Sequence, residues 1–192
     1  MKLRIVSGTL SRRFVTVEKR AQQFRPTQER IRTAVAETLK ARIPGARAAD
    51  FCAGSGTLGI ELVSRGAAHV DFVENDRGRA AVILRHCEAF GIGNRCTVIT
   101  QDVRRFIDAY DGQAGSSAYD IIFYDPPYGD AGLASLVPAI ARLLMDDGVL
   151  AYERDKAETS QGARLVANGF SAEERTYGDT VVEFIRRKGT EE

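Results

Sequence analysis

Residues 48–59 read Ala48-Ala49-Asp50-Phe51-Cys52-Ala53-Gly54-Ser55-Gly56-Thr57-Leu58-Gly59. Ala48 to Cys52 has the composition of a short buried strand, and Thr57 to Arg65 carries a helical pattern. The glycines between them permit a tight turn and let a ligand approach the backbone and the helix N-terminus closely. Glu74 closes the next strand, near the spacing at which an acid meets ribose hydroxyls. This strand–loop–helix order predicts a nucleoside-bearing ligand. It leaves NAD, FAD and S-adenosylmethionine all open.

Outward from that loop, strands and helices alternate. His69 to Glu74 reads as a strand, Arg77 to Phe90 as a helix, Cys96 to Thr100 as a strand and Val103 to Tyr110 as a short helix. A polar loop from Asp111 to Ala118 precedes the strand Tyr119 to Tyr124. Leu133 to Leu144 reads as helical despite Pro138, Gly148 to Glu153 as a strand, and Glu158 to Asn168 as a helix. Two last strands, Ser171 to Tyr177 and Thr180 to Arg187, join through Gly178-Asp179 as a hairpin. The order implies an α/β fold: a mostly parallel sheet with helices on both faces and an antiparallel hairpin at one edge. Upstream, Leu3-Arg4-Ile5-Val6 and Phe14-Val15-Thr16-Val17 predict a small β-hairpin. Arg25-Pro26-Thr27 opens a helix with Thr27 as its N-cap and Ile31, Val35 and Leu39 on one face, stopped by Pro44-Gly45. Residues 1–44 are thus expected to form a basic N-terminal hairpin and helix, and residues 45–188 the sheet domain.

Asp125-Pro126-Pro127-Tyr128 follows the strand Tyr119 to Tyr124. Neither proline has an N–H to give a sheet, so the strand ends abruptly in a stiff, extended segment. Open α/β sheets bind ligands at this end of their strands. A carboxylate, free carbonyls and an aromatic ring there suit a planar group bearing an NH2. Such an amine is a poor nucleophile while its lone pair is delocalised into the ring. The Asp125 carboxylate and the Pro126 carbonyl can accept its two N–H groups, and Tyr128 can stack on the plane. The other acids divide. Asp50 can hold the glycine loop or contact a cofactor's amino end; Asp102 can accept from an adenine amino group or cap the helix that follows; Asp76 and Asp108 are expected at the solvated surface.

The 192 residues suit one domain, and 44% hydrophobic with 28% charged residues is ordinary for a soluble protein. Cys52, Cys87 and Cys96 at unrelated spacings, with two histidines, give no disulfide framework and no metal pattern. The chain is expected to be cytoplasmic, monomeric and metal-free. Net charge is +1, but residues 1–42 hold eleven Lys/Arg against three Glu, leaving 16 basic against 23 acidic residues beyond. A segment of +8 before a remainder of −7 is the footprint of an arm that meets nucleic-acid phosphates. Arg4, Arg12, Arg13, Arg25, Arg30 and Arg32 are its candidate phosphate ligands.

Asp125-Pro126-Pro127-Tyr128 resembles the signature of amino-group methyltransferases that use S-adenosylmethionine. The wider chain resembles the bacterial 16S ribosomal RNA guanine-N2 methyltransferases. The matching stretches include Arg4-Ile5-Val6-Ser7-Gly8, Arg25-Pro26-Thr27 with Arg30-Ile31-Arg32, Asp50 through Glu61, Ser64-Arg65-Gly66-Ala67, Phe72-Val73-Glu74-Asn75-Asp76 and Tyr177-Gly178-Asp179-Thr180. Asn75, where that family would carry a charged residue, and the scarcity of aromatics in the arm are departures. The resemblance implies a Rossmann-like, seven-stranded class I methyltransferase fold and a basic hairpin that engages 16S ribosomal RNA. It also implies a cofactor with its methionine part over Gly54 and Gly56, its ribose on Glu74 and its adenine at Asp102. Asp125, Pro126, Pro127 and Tyr128 would then hold the unstacked guanine. The alternatives are an amino methyltransferase acting on adenine in DNA or RNA or on a protein glutamine, a nicotinamide oxidoreductase, and, from another class, a noncatalytic RNA-binding assembly factor. The oxidoreductase leaves the proline tetrapeptide unexplained.

Overall fold

The computed structural model describes residues 2–17, 26–111 and 118–188. Arg25, the side chain of Thr27 and most of the 111–118 loop lie outside the described residues.

Strands β1 (Lys2–Arg4) and β2 (Phe14–Thr16) pair antiparallel, with Leu3 opposite Val15. Helix α1 (Pro26–Thr38) already includes Pro26 and Thr27, so the expected cap at Thr27 lies inside the helix, and a proline's missing N–H is no loss in a first helical turn. From there the chain runs β3 (Arg47–Phe51), α2 (Thr57–Ser64), β4 (His69–Glu74), α3 (Arg77–Ala89), β5 (Cys96–Thr100), α4 (Val103–Asp111) and β6 (Tyr119–Tyr124). It continues through α5 (Ala131–Ala134), α6 (Val137–Arg142), β7 (Leu144–Asp155), α7 (Gly162–Leu165), β8 (Phe170–Tyr177) and β9 (Thr180–Arg187).

The seven strands of the large sheet lie in the order β5-β4-β3-β6-β7-β9-β8. Strands β3 to β7 pair in parallel, and β9 runs antiparallel to both β7 and β8. This is the Rossmann-like, mostly parallel sheet with a small N-terminal hairpin that the sequence predicts. Alternation along the strands builds a core on each face. Ala48, Ile121 and Phe123 point to one side, with α1, α2 and α3; Ala49, Phe51, Ile122 and Tyr124 point to the other, with α4 and α6.

The N-terminal segment joins the first of these cores. Ile5, Val15, Ile31, Val35 and Leu39 are buried with Leu58, Ile60 and Val63 of α2. Glu61, itself buried, accepts from the backbone N–H of Val6 (2.8 Å) and Ser7 (3.0 Å), which locks the hairpin to α2.

Three elements differ from expectation. Leu133 to Leu144 forms two short helices, broken at Ser135-Leu136, since Pro138 fits the first turn of α6 and would interrupt the interior of a longer helix. Strand β7 starts at Leu144, and its pairing with β6 shifts register between Tyr119 and Ile121. The helix expected over 158–168 shrinks to α7 and a 3-10 turn at Val166–Asn168. There the carbonyls of Asp155 and Glu158 accept from Arg154, and the Gly162 N–H donates to Glu183, so tertiary partners replace helical ones. Among the described residues no helix is long and apolar enough to cross a membrane.

Candidate active site

Strand order reverses between β3, whose other neighbour is β4, and β6. Side chains from the C-terminal ends of these strands line a crevice at that switch point, where open α/β sheets bind ligands. The main cavity is about 720 Å³, a size suited to a nucleoside-sized ligand. Gly54, Glu74, Asp102 and all four residues of Asp125-Pro126-Pro127-Tyr128 line it. A recess of about 110 Å³ shares Cys52, Gly54 and Asp125 with it and is lined also by Asp50 and Arg32.

The glycine loop turns through left-handed backbone at Cys52 (φ 59°), Gly54 (φ 56°) and Gly56 (φ 67°). A Cβ on Gly59 would fall 2.2 Å from the Phe72 ring, so that glycine sets how closely α2 lies on β4. Cys52 is the costly member, since a non-glycine residue there is strained by roughly 1–2 kcal/mol. Burial, reinforced by Glu74, pushes its thiol up to about 12, so it is a neutral lining group and not a nucleophile.

The acids at the first two strand ends are well occupied. Glu74 Oε2 accepts from the Gly54 N–H (2.8 Å), while Oε1 accepts from the Asp76 N–H (2.9 Å) and from Arg79 Nη2 (2.8 Å). Glu74 therefore fixes the loop, and one acceptor direction on Oε2 stays open to the cavity. Asp102 accepts from the Arg104 N–H (2.8 Å), so it caps α4 while facing the same space. Asp50 Oδ2 accepts from the Gly59 N–H (3.0 Å), fastening the start of α2. Burial pushes Asp50 up to about 7, against that stabilising bond and with help from the nearby Glu74 charge.

The β6 end is different. Asp125 borders both compartments, and burial, with Glu153 and then Asp50 nearby, holds its carboxyl well above the usual range. Glu153 near the end of β7 is raised by burial too, less so because the Tyr128 hydroxyl donates to it. Tyr128 is anchored by its tip: the hydroxyl donates to Glu153 Oε1 (2.8 Å) and lies 3.1 Å from Thr180 Oγ1. The residue is 45% exposed. An anchored hydroxyl on a half-open ring is the arrangement a stacking platform needs. Pro126 is buried and Pro127 exposed.

The residues predicted from sequence thus converge, except those of the arm and Gly56, which lines neither compartment and packs against Ile83 of α3. Arg4, Arg12, Arg13 and Arg30 are exposed, with the Arg13 guanidinium 5.3 Å from the centre of the Phe90 ring. Arg32 stands apart, buried to 8% exposure. Phe14, 51% exposed on the hairpin, is an aromatic the arm does offer. Sequence reasoning missed Glu153, Thr180 and the β8–β9 turn, where Gly178 and Asp179 reach the cavity rim. Glu153 carried the signal that marked Glu74, an acid near the carboxyl end of a sheet strand.

The profile of the family described as "Conserved hypothetical protein 95" matches residues 3–186. The chain belongs to that family. It is 29% identical over 191 residues to ribosomal RNA small subunit methyltransferase D of Escherichia coli K12, covering 97% of this chain and 91% of that protein. A candidate methyltransferase of E. coli, yhhF, superposes with TM-score 0.82 at 24% identity, over 99% of this chain and all of that one. A solved candidate methyltransferase in complex with S-adenosylhomocysteine, SMU.776, superposes with TM-score 0.66 at 14% identity, covering 84% of this chain and 50% of that one. At such identities the superpositions speak to the fold.

Proposed function

We propose that this chain is an S-adenosylmethionine-dependent methyltransferase that modifies the exocyclic N2 of a guanine in 16S ribosomal RNA. The observation that carries the reading is Asp125-Pro126-Pro127-Tyr128 at the end of β6, beside the glycine loop and over one cavity. Full-length relatedness to a ribosomal RNA methyltransferase supports the RNA substrate. The fold held by an S-adenosylhomocysteine-bound neighbour supports the cofactor.

The crevice fits that cofactor by its chemistry: a loop with positive φ for close backbone approach, an acceptor left on Glu74, and acids near the recess. When bound, the cofactor supplies an electrophilic methyl group. The chain's residues do the rest. Gly54 faces the methionine part, on the turn that Gly56 completes, Glu74 the ribose and Asp102 the adenine. A guanine unstacked from the RNA enters against the Tyr128 ring, as chemistry on a base atom requires. The Asp125 carboxylate and the Pro126 carbonyl accept its two N–H groups, which turns the nitrogen lone pair toward the donor. Alignment of this kind is worth up to roughly 7–11 kcal/mol. Its raised proton affinity makes Asp125 a better acceptor of the amine proton than an ordinary carboxylate. Arg4, Arg12, Arg13 and Arg30 hold RNA phosphates from the exposed hairpin and helix, and Arg25 belongs to the same set by sequence.

The test is Asp125→Ala assayed two ways. Methyl transfer to ribosomal particles lacking the modification should fall by at least about 10²–10³-fold, the scale of losing a preorganised partner of the reacting group. S-adenosylhomocysteine affinity by calorimetry should stay within about threefold, a margin below 1 kcal/mol. Full activity in the variant would sink the mechanism.

A further inference from the structure

Arg32 was expected among the phosphate ligands of the arm, yet its burial forbids that use. Its Nε and Nη2 are buried and find no hydrogen-bond partner among the described residues. A guanidinium in such a place is costly unless a partner satisfies its donors. Burial lowers its proton affinity, while Glu29 and Glu61 work in the opposite sense. Glu61 does not supply the missing bonds: its oxygens already receive Val6, Ser7 and Arg65.

The side chain borders the 110 Å³ recess, and a further feature of that recess calls for an anion. Thr57 and Leu58, the first residues of α2, line it, and the N-cap of α2 is Gly56, which has no side chain to cap the helix. On the same walls stand Asp50, a buried acid that would take a cation, and half-buried Asp125, the acid assigned to the guanine amine. One compartment therefore offers cation and helix N-terminus on one part of its lining and carboxyls on another. That is the complement of an α-amino acid zwitterion.

We infer that Arg32 binds the carboxylate of the methyl donor's methionine end, in the recess between α1 and the glycine loop, with Asp50 facing the ammonium. The inference rests on the proposed cofactor and assigns α1 of the basic N-terminal region a part in holding it. A phosphate of the RNA would also satisfy a guanidinium, but the recess is small, lined by the glycine loop, and shared with the main cavity. The exposed arginines remain for the RNA.

Arg32→Met keeps an unbranched apolar stem and removes the donors. Calorimetry would compare S-adenosylhomocysteine with a decarboxylated analogue that keeps the amine, for wild type and variant. In wild type the parent ligand should bind more tightly than the analogue. In Arg32→Met the parent should weaken about 10- to 100-fold, the scale of a charged hydrogen-bonded pair, while the analogue changes less than about threefold. Equal weakening of both ligands would make Arg32 structural and overturn the inference. So would unchanged ligand binding with weakened RNA binding, which would return Arg32 to the phosphate set. Wild type that binds neither ligand would instead defeat the cofactor reading itself. If Arg32→Met does not fold, Arg32→Lys serves: it keeps the charge, and the parent ligand alone should weaken.

Discussion

The two acid-bearing strand ends of the crevice are built on opposite terms. At β4, both oxygens of Glu74 accept from the protein, so the carboxylate is held in place by Gly54, Asp76 and Arg79. At β6, Asp125 is enclosed beside a second raised acid, Glu153, and its carboxyl stays far above its ordinary range. One end is satisfied before any ligand arrives and shapes the loop. The other is left short of partners and gains most when a donor of hydrogen bonds or positive charge enters. The difference teaches that an acid's position at a strand end marks the crevice, while its existing bonds distinguish scaffold from acceptor.

Substitution at the satisfied end should therefore break the fold as well as binding. Glu74→Ala leaves the Gly54 and Asp76 N–H groups without their acceptor and should cost about 2–4 kcal/mol of stability. Denaturant melts would read this, with cofactor affinity falling alongside. A variant of unchanged stability would remove the scaffold role from Glu74.

The acids whose proton affinity burial raises should show themselves in pH. Asp50 has a folded value near 7 against an ordinary value of 3.8, so the fold favours its neutral form. The stability it contributes is full below about 3.8, declines as pH rises toward 7 and is gone above. Asp125 and Glu153 are raised in the same sense. Relative to Asp50→Asn, ligand-free wild type should lose up to about 1.4 kcal/mol per pH unit across that window. Parallel melting curves for the two proteins between pH 4 and 7 would contradict the titration of Asp50. A cationic ligand should reverse the loss, because its binding favours the ionised acid.

Tyr128→Phe sharpens the comparison with the smallest effect. It removes the hydroxyl that joins Glu153 and Thr180 and keeps the ring, so stability should change by about 1 kcal/mol. Methyl transfer should fall by about tenfold or less, the same energy expressed in rate. A loss as large as that of Asp125→Ala would mean that the hydroxyl, and not the ring, carries the role of Tyr128.

These contrasts were only half legible in the sequence. Strands His69–Glu74, Cys96–Thr100, Tyr119–Tyr124 and Thr180–Arg187 were read with their observed bounds, because each is a short apolar run between clear breakers. The 158–168 segment was misread because Glu183 and Arg154, distant or upstream in sequence, claim its backbone groups. For the site, strand-end placement identified Glu74, Asp102 and Asp125. The capping of α4 by Asp102, a partner two residues away, was among the readings the sequence offered, but that Tyr128 is tied to β7 and β9 was not, since those partners meet only in the folded sheet. Arg32 was the plainest failure of composition. Counted as one cation of a basic arm, it lies within the core side of α1, where charge totals carry no information.

The measurement closest to the central claim is to incubate the protein with labelled donor and small ribosomal particles lacking the modification, digest the RNA to nucleosides, and locate the methyl group. The account predicts N2-methylguanosine in 16S ribosomal RNA. A methyl group on adenine or on a ribosomal protein, or no transfer by a protein that binds the particles, would contradict it.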